Sequence, residues 1–185
     1  MTKTVSIAER CRFRTARLSV EGWREALATP ARREALAKRM AEILTPEVTQ
    51  TLPPAWQPLD SPAQALEWLE ARSAEGDCFA VRTRDDGVIA GCLTVYAAAS
   101  EADPARLDLR IGYLFAREAW ARGFGSELIA GLVQWCEQAG DIRSLIGGVE
   151  EENLASIRVL EKNGFRIAPG AAEPPMVALE RVFGD

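Results

Sequence analysis

Two stretches of the chain carry residues whose types and spacing could do chemistry. The first reads Trp120-Ala121-Arg122-Gly123-Phe124-Gly125-Ser126-Glu127 and lies between a β-rich run and a helical one. Its alternating glycines let the backbone approach a ligand closely, with amides turned outward. At a helix N-terminus such amides lack intrahelical acceptors, and the helix dipole favours an anion beside them. This is the outline of a pyrophosphate cradle, and equally of a tight strand-to-helix turn. No Gly-Lys-Ser/Thr follows and the full G-x-G-x-x-G pattern is missing, which excludes a nucleotide P-loop and the dinucleotide fingerprint.

The second stretch is Asn153-Leu154-Ala155-Ser156-Ile157-Arg158-Val159-Leu160-Glu161-Lys162-Asn163-Gly164-Phe165, just after another β-rich run. Asn153 suits a helix N-cap and Gly164 a helix stop, so a well-capped helix accounts for the pattern by itself. Ser156 then falls in the first turn. Arg158 and Lys162 stand one turn apart, on a face that is either solvated or turned to an anion.

Composition narrows the chemistry further. The sequence has no histidine, which removes Ser-His-Asp and Cys-His machinery and His-ligated zinc; no metal site is expected. Cys11, Cys78, Cys92 and Cys136 are far apart and form no C-x-x-C pair. Reduced thiols are expected, with Cys92 and Cys136 as core filler. A formal charge of −5 argues against the basic face that nucleic-acid binding needs. No apolar run is long enough to span a membrane, and the residues after Met1 do not read as a signal region. Neither nucleic acid nor membrane is therefore expected as a partner, and the cytoplasm is the expected location. With 185 residues and 48% apolar side chains, a single domain over 1–185 can bury its own core.

The elements that must position these residues follow from pattern. Residues 10–18 alternate and read as a first strand, and 19–44 as helix broken near Thr29-Pro30. Residues 51–58 hold Pro53, Pro54 and Trp56 and read as irregular loop. Ser61-Pro62-Ala63-Gln64 opens a helix with a capping box. Runs 78–84 and 88–97 form a hairpin about Asp85-Asp86-Gly87, and 107–115 is another strand. The stripe Leu128, Ile129, Leu132, Val133, Cys136 marks a helix from Gly123 to about Ala139. Strand 143–149, helix 153–163 and closing strands at 165–168 and 176–183 complete a mixed α/β order on one sheet. Strand 176–183 could also pair across a homodimer.

Together, in this order and spacing, the two stretches resemble the GNAT acyltransferase superfamily, and most of all its RimJ/RimL-like branch. That branch acetylates protein N-termini and other small amines. The run from Glu9 to Arg14 and the run Val88-Ile89-Ala90-Gly91 fit it as well, so the resemblance covers about residues 8–183. It implies a mostly antiparallel sheet with one splayed parallel pair, flanked by helices. It also implies an enzyme using acetyl-CoA, without metal, by direct attack of an amine in a ternary complex. By position, the amides around Arg122, Gly123, Phe124, Gly125 and Ser126 would hold the pyrophosphate. Backbone groups of Leu114 and Phe115 would pair with the pantetheine arm, and Asn153 would bond to it. Ser156 would lie near the sulfur as acid toward the thiolate, and Arg158 and Lys162 could meet the nucleotide phosphates.

Two departures bear on catalysis. Leu160 stands where many superfamily members carry a tyrosine acid, seven residues after the motif asparagine. The strand that often reads Glu-Ile-Gly-Tyr reads Arg110-Ile111-Gly112-Tyr113 here, so Arg110 replaces the expected carboxylate. Asp108, on the same strand face, is the candidate base, with Glu150, Glu151 and Glu152 as alternatives. Arg110 and Tyr113 are candidate acceptor-site residues, and Arg110 could clamp a carboxylate on a small-molecule or peptide amine. Trp23, Trp56 and Trp68 are candidates to line that pocket. The alternative is a GNAT-like acyl-CoA-binding sensor or interaction domain, and turnover separates the two.

Overall fold

The computed structural model describes residues 6–168, 170 and 172–184. The N-terminal region departs from expectation. In place of one strand over 10–18 there are two short ones, β1 (Phe13–Arg14) and β2 (Leu18–Gly22), paired antiparallel. The turn between them is held by the Thr15 hydroxyl, which accepts from the Leu18 amide at 2.9 Å. Residues 19–22, expected as helix, are strand because Leu18, Val20 and Gly22 point inward while Ser19 and Glu21 point out, a period of two.

The expected helix thus shrinks to α1 (Trp23–Ala26) and α2 (Pro30–Ile43). They break at Thr29-Pro30 as the sequence indicates, with the Thr29 hydroxyl accepting from the Arg32 amide at 3.3 Å. A short α3 (Pro46–Thr49) leads into the loop holding Trp56, and α4 (Pro62–Glu75) follows. The Ser61 hydroxyl caps α4 through the Gln64 amide at 3.3 Å, while the Gln64 side chain accepts from the Asp60 amide at 2.8 Å. The capping box closes one residue earlier than the sequence suggests.

Strands β3 (Asp77–Thr83) and β4 (Ile89–Ala99) form the expected hairpin, with Gly87 at φ +70°. Then come β5 (Leu107–Phe115), α5 (Phe124–Ala139), β6 (Ile142–Glu150), α6 (Leu154–Lys162), β7 (Arg166–Ile167) and β8 (Met176–Val182). Among the described residues they build an eight-stranded sheet in the order β1-β2-β3-β4-β5-β6-β8-β7. Every neighbouring pair is antiparallel except β5 and β6, so the fold class is the expected mixed α/β. On its outer side β8 pairs over part of its length with β7, through Arg166↔Glu180 and Ile167↔Leu179.

The sheet separates two apolar clusters. On one face α5 lays Leu128, Ile129 and Leu132 against Leu93, Leu109 and Leu145, all fully buried. On the other, α1, α2 and α4 bury Trp23, Leu36, Met40 and Leu69 over Ala80, Cys92 and Leu114. Each buried leucine, isoleucine or methionine among them contributes roughly 1.5–3 kcal/mol. All four cysteines are free and buried, and burial pushes the Cys11 and Cys78 thiols up to about 12. They pack as small apolar groups and stay protonated at neutral pH.

Candidate active site

The sheet is split in its middle. Strands β5 and β6 pair from Leu107↔Ile142 only as far as Ile111↔Gly147. Beyond that point β5 stays with β4 to Phe115↔Gly91, and β6 stays with β8 to Glu150↔Met176. Each strand follows its antiparallel neighbour, so the two part.

Which backbone groups face the split follows from the ladder. The Ala116 amide donates to the Ala90 carbonyl at 2.8 Å, and the Thr94 hydroxyl donates to the Gly112 carbonyl at 3.2 Å. Gly112, Leu114 and Ala116 therefore turn to β4, and the alternate residues Ile111, Tyr113 and Phe115 turn to β6. This corrects the expected role of the Leu114 backbone; the groups facing the split belong to Tyr113 and Phe115. The Phe115 carbonyl is already taken by the Trp120 indole N–H at 2.8 Å.

A cavity of about 780 Å³ runs through the sheet at this split, within the range of small-molecule sites. On the face covered by α5 and α6 it is lined by Tyr113, Asn153, Ser156 and Leu160. On the opposite face it is lined by Trp56, Tyr96, Arg110 and Glu150, with Thr51 and Pro53 at its side.

Asn153 caps α6, accepting from the Ser156 amide at 3.1 Å. Its own amide group donates to the Thr51 hydroxyl at 3.4 Å, tying α6 to the loop after α3. Thr51 carried no local signal for this in the sequence. The Tyr113 hydroxyl is buried beside Ser156. Burial raises its pKa, and a side-chain hydrogen bond with Ser156 partly opposes that rise.

The α5 N-terminus lies beside the split. Gly123 takes φ +78° there, a left-handed conformation that glycine adopts freely, and no side chain caps the helix. Two guanidinium groups, of Arg17 and Arg122, stand 4.7 and 4.6 Å from the Phe124 ring centre. Arg17 is fixed by Glu127 at 2.6 Å and donates to the Arg122 carbonyl at 2.9 Å. No local pattern marks Arg17, because its partners lie over a hundred residues away. Asn163 donates to the Ser126 carbonyl at 3.3 Å, joining the end of α6 to the start of α5.

With this geometry goes a family match. The model of the acetyltransferase (GNAT) domain covers residues 27–166, well over half of the chain. The chain belongs to the GNAT acetyltransferase family. Solved GNAT structures share its fold. An N-acetyltransferase from Brucella melitensis superimposes with TM-score 0.72 at 19% identity, covering 98% of this chain and 82% of that one. An acetyl transferase from Salmonella typhimurium that modifies the N-terminal serine of a ribosomal subunit protein gives 0.68 at 16%, covering 92% and 97%. RimL, a ribosomal-protein α-N-acetyltransferase solved with coenzyme A, gives 0.69 at 16%, covering 91% and 95%. No curated protein matches by sequence.

Within this GNAT domain the acidic candidates separate. Asp108 does not line the cavity. Its carboxylate accepts from Ser144 at 2.7 Å and from Arg143 at 3.0 Å. Burial alone would raise its pKa, but hydrogen bonds from Ser144, Ser100 and Arg143 outweigh that and lower it. A carboxylate so held takes up a proton poorly at neutral pH, so Asp108 is a strut between β5 and β6. Of Glu150, Glu151 and Glu152 only Glu150 lines the cavity; the other two are exposed outside it.

Arg110 lies across the ladder from Tyr96 and lines the cavity. No ion pair or side-chain hydrogen bond joins it to another described residue. Of the three candidate tryptophans, Trp56 lines the cavity, while Trp23 and Trp68 are buried against each other with ring centres 5.7 Å apart. Arg158 and Lys162 stand exposed on α6, outside the cavity. Among the described residues no helix is long and apolar enough to cross a membrane, and no group of three His, Cys, Asp or Glu could hold a metal ion.

Proposed function

We propose that this GNAT domain moves an acetyl group from acetyl-CoA to a primary amine, a peptide N-terminus or a small amine, by direct attack in a ternary complex. The supporting observation is the split between β5 and β6, open on both faces of the sheet and bordered by the uncapped α5 N-terminus. The amides from Arg122 to Ser126 hold the pyrophosphate in this reading. The backbone of Tyr113 and Phe115 receives the pantetheine arm as an added strand, and Asn153 bonds to it. The thioester supplies an activated acyl group. Ser156 protonates the sulfur side, and the amides facing the split meet the developing oxyanion. RimL and the Salmonella protein act on N-termini of ribosomal proteins, which favours the RimJ/RimL-like branch and a peptide acceptor.

The amine enters from the opposite face, where Trp56, Tyr96 and Arg110 lie. An α-amine near pKa 8 is roughly one-tenth neutral at pH 7, whereas a lysine near 10.4 is below about one-tenth of a per cent. Glu150, acting directly or through water, is sufficient for the former. Arg110, without a protein partner, receives a carboxylate on the acceptor. The reaction is read as cytoplasmic, metal-free and carried by one domain.

The test is thiol release from acetyl-CoA with a panel of amines: N-terminal peptides, amino acids, polyamines and aminoglycosides. Release above the amine-free control supports the reading. Tight binding of acetyl-CoA without turnover on any amine would make the domain an acyl-CoA sensor, and no binding would overturn both.

A further inference from the structure

We infer that Tyr113 is the proton donor behind Ser156, so that a strand hydroxyl relayed through the first turn of α6 protonates the leaving thiolate. This rests on the acetyl-transfer reading above. It starts from a polar atom that ring packing does not require. The Tyr113 ring sits between the start of α5 and α6, close enough that a Cβ built on Gly125 would lie 3.7 Å from it and 3.6 Å from Val159. A phenylalanine would make the same ring contacts. The chain instead places a buried hydroxyl there, and its side-chain hydrogen-bond neighbour is Ser156, which lines the cavity. Buried polar atoms are nearly always paired, and here the pairing runs toward the cavity and not into the core.

The surroundings show which step the hydroxyl serves. Ser156 is the side chain that acts on it, and both line the cavity beside Asn153. They lie on the α6 face of the split, whereas Arg110 and Glu150 lie on the other. A proton delivered from Tyr113 therefore reaches the sulfur and not the amine. Leu160 offers no second acid from α6: its Cδ1 would lie 2.9 Å from a Cβ on Gly147, so it fills the floor of the split. Burial keeps the phenol protonated at neutral pH. The same dry surroundings make a thiolate a stronger base.

The step balances without any further reactant. The C–N bond forms as the C–S bond breaks, and the C–S electron pair goes to sulfur. Ser156 gives its proton to the sulfur and takes one from Tyr113. The proton lost by the amine returns through the cavity to the tyrosine oxygen.

The test compares wild type, Tyr113→Phe and Ser156→Ala with acetyl-CoA and with S-phenyl thioacetate, whose leaving thiol is acidic and needs no proton. With acetyl-CoA, kcat of Tyr113→Phe should fall by about 100-fold with KM little changed. With the phenyl thioester it should hold within about threefold, since general-acid help matters little to a good leaving group. Melting temperature should fall only slightly, as for the loss of one hydrogen bond, and the double variant should be no slower than the worse single one. A Tyr113→Phe kcat with acetyl-CoA near wild type, or equal losses on both donors, would overturn the inference. If wild type releases no thiol with any amine, the function reading fails by itself. Binding then decides this inference. A wild-type preference for coenzyme A over its desulfo analogue that Tyr113→Phe loses would keep the hydroxyl at the sulfur, and no such preference would overturn it.

Discussion

Gly91 on β4 runs so close beneath the Leu114 carbonyl on β5 that a Cβ at residue 91 would stand 2.2 Å from that oxygen. The obstacle is backbone, which cannot swing aside as a side chain can. Gly91→Ala should therefore destabilise the protein by about 3 kcal/mol or more. Equilibrium urea unfolding should show a lower midpoint at an unchanged slope.

Glu127 governs how the protein meets acid. Burial alone would raise its pKa, but hydrogen bonds from the Thr15 hydroxyl and from Arg17 outweigh that and lower it from 4.5. A carboxyl depressed in the folded state stabilises above its unfolded pKa, and that stabilisation is lost as pH falls through the folded value. Glu127→Gln should thus melt lower than wild type at pH 7. Melting curves of the two should converge as pH drops below about 4.5.

Asp108→Asn separates a strut from a base. With its carboxylate committed to Ser144 and Arg143, the variant should lose roughly 1–3 kcal/mol of stability. The shape of the pH–rate profile for acetyl transfer should stay as in wild type. Loss of the acidic limb of that profile would return Asp108 to the chemistry.

The same strand shows how far sequence reaches. The strand at 107–115, the turn at Gly87, the break at Thr29-Pro30 and the caps at Ser61 and Asn153 are local patterns, and the structure has them where the residues indicate. Residues 19–22 read locally as the start of a helix and are strand instead. Pairing with β3, about sixty residues later, decides them. Asp108 does share a strand face with Arg110, but only the β5–β6 register reveals that Ser144 lies beside it. Likewise, which of Leu114 and Tyr113 turns its amide to the split depends on the β4 partner. The Tyr113–Ser156 and Arg17–Glu127 pairs arise from packing between distant segments, and no local pattern encodes them.

Arg110→Met should change selectivity more than rate. If its guanidinium receives a carboxylate, the variant should lose about 1.5–3 kcal/mol of discrimination between an acceptor acid and its amide, roughly tenfold or more in kcat/KM. Turnover on the amide should be little affected. Paired assays on an amino acid and its carboxamide, and on matched peptides, measure this directly. Equal preference in wild type would remove the clamp.

The parting of β5 and β6 leaves an unfinished ladder in the interior of a sheet, not at its rim. An open strand at the rim invites stray chains and has to be guarded by charge or proline. Here the guard is architectural: α6 and a proline-bearing loop line the opening, and they crowd a strand that carries side chains on both faces. Only a thread that is slim and carries its own amides can complete the ladder. The protein thereby selects its guest by girth before any side chain is read, and a guest that fits closes the sheet. Its melting point should then rise with ligand concentration, as expected for a part supplied from outside.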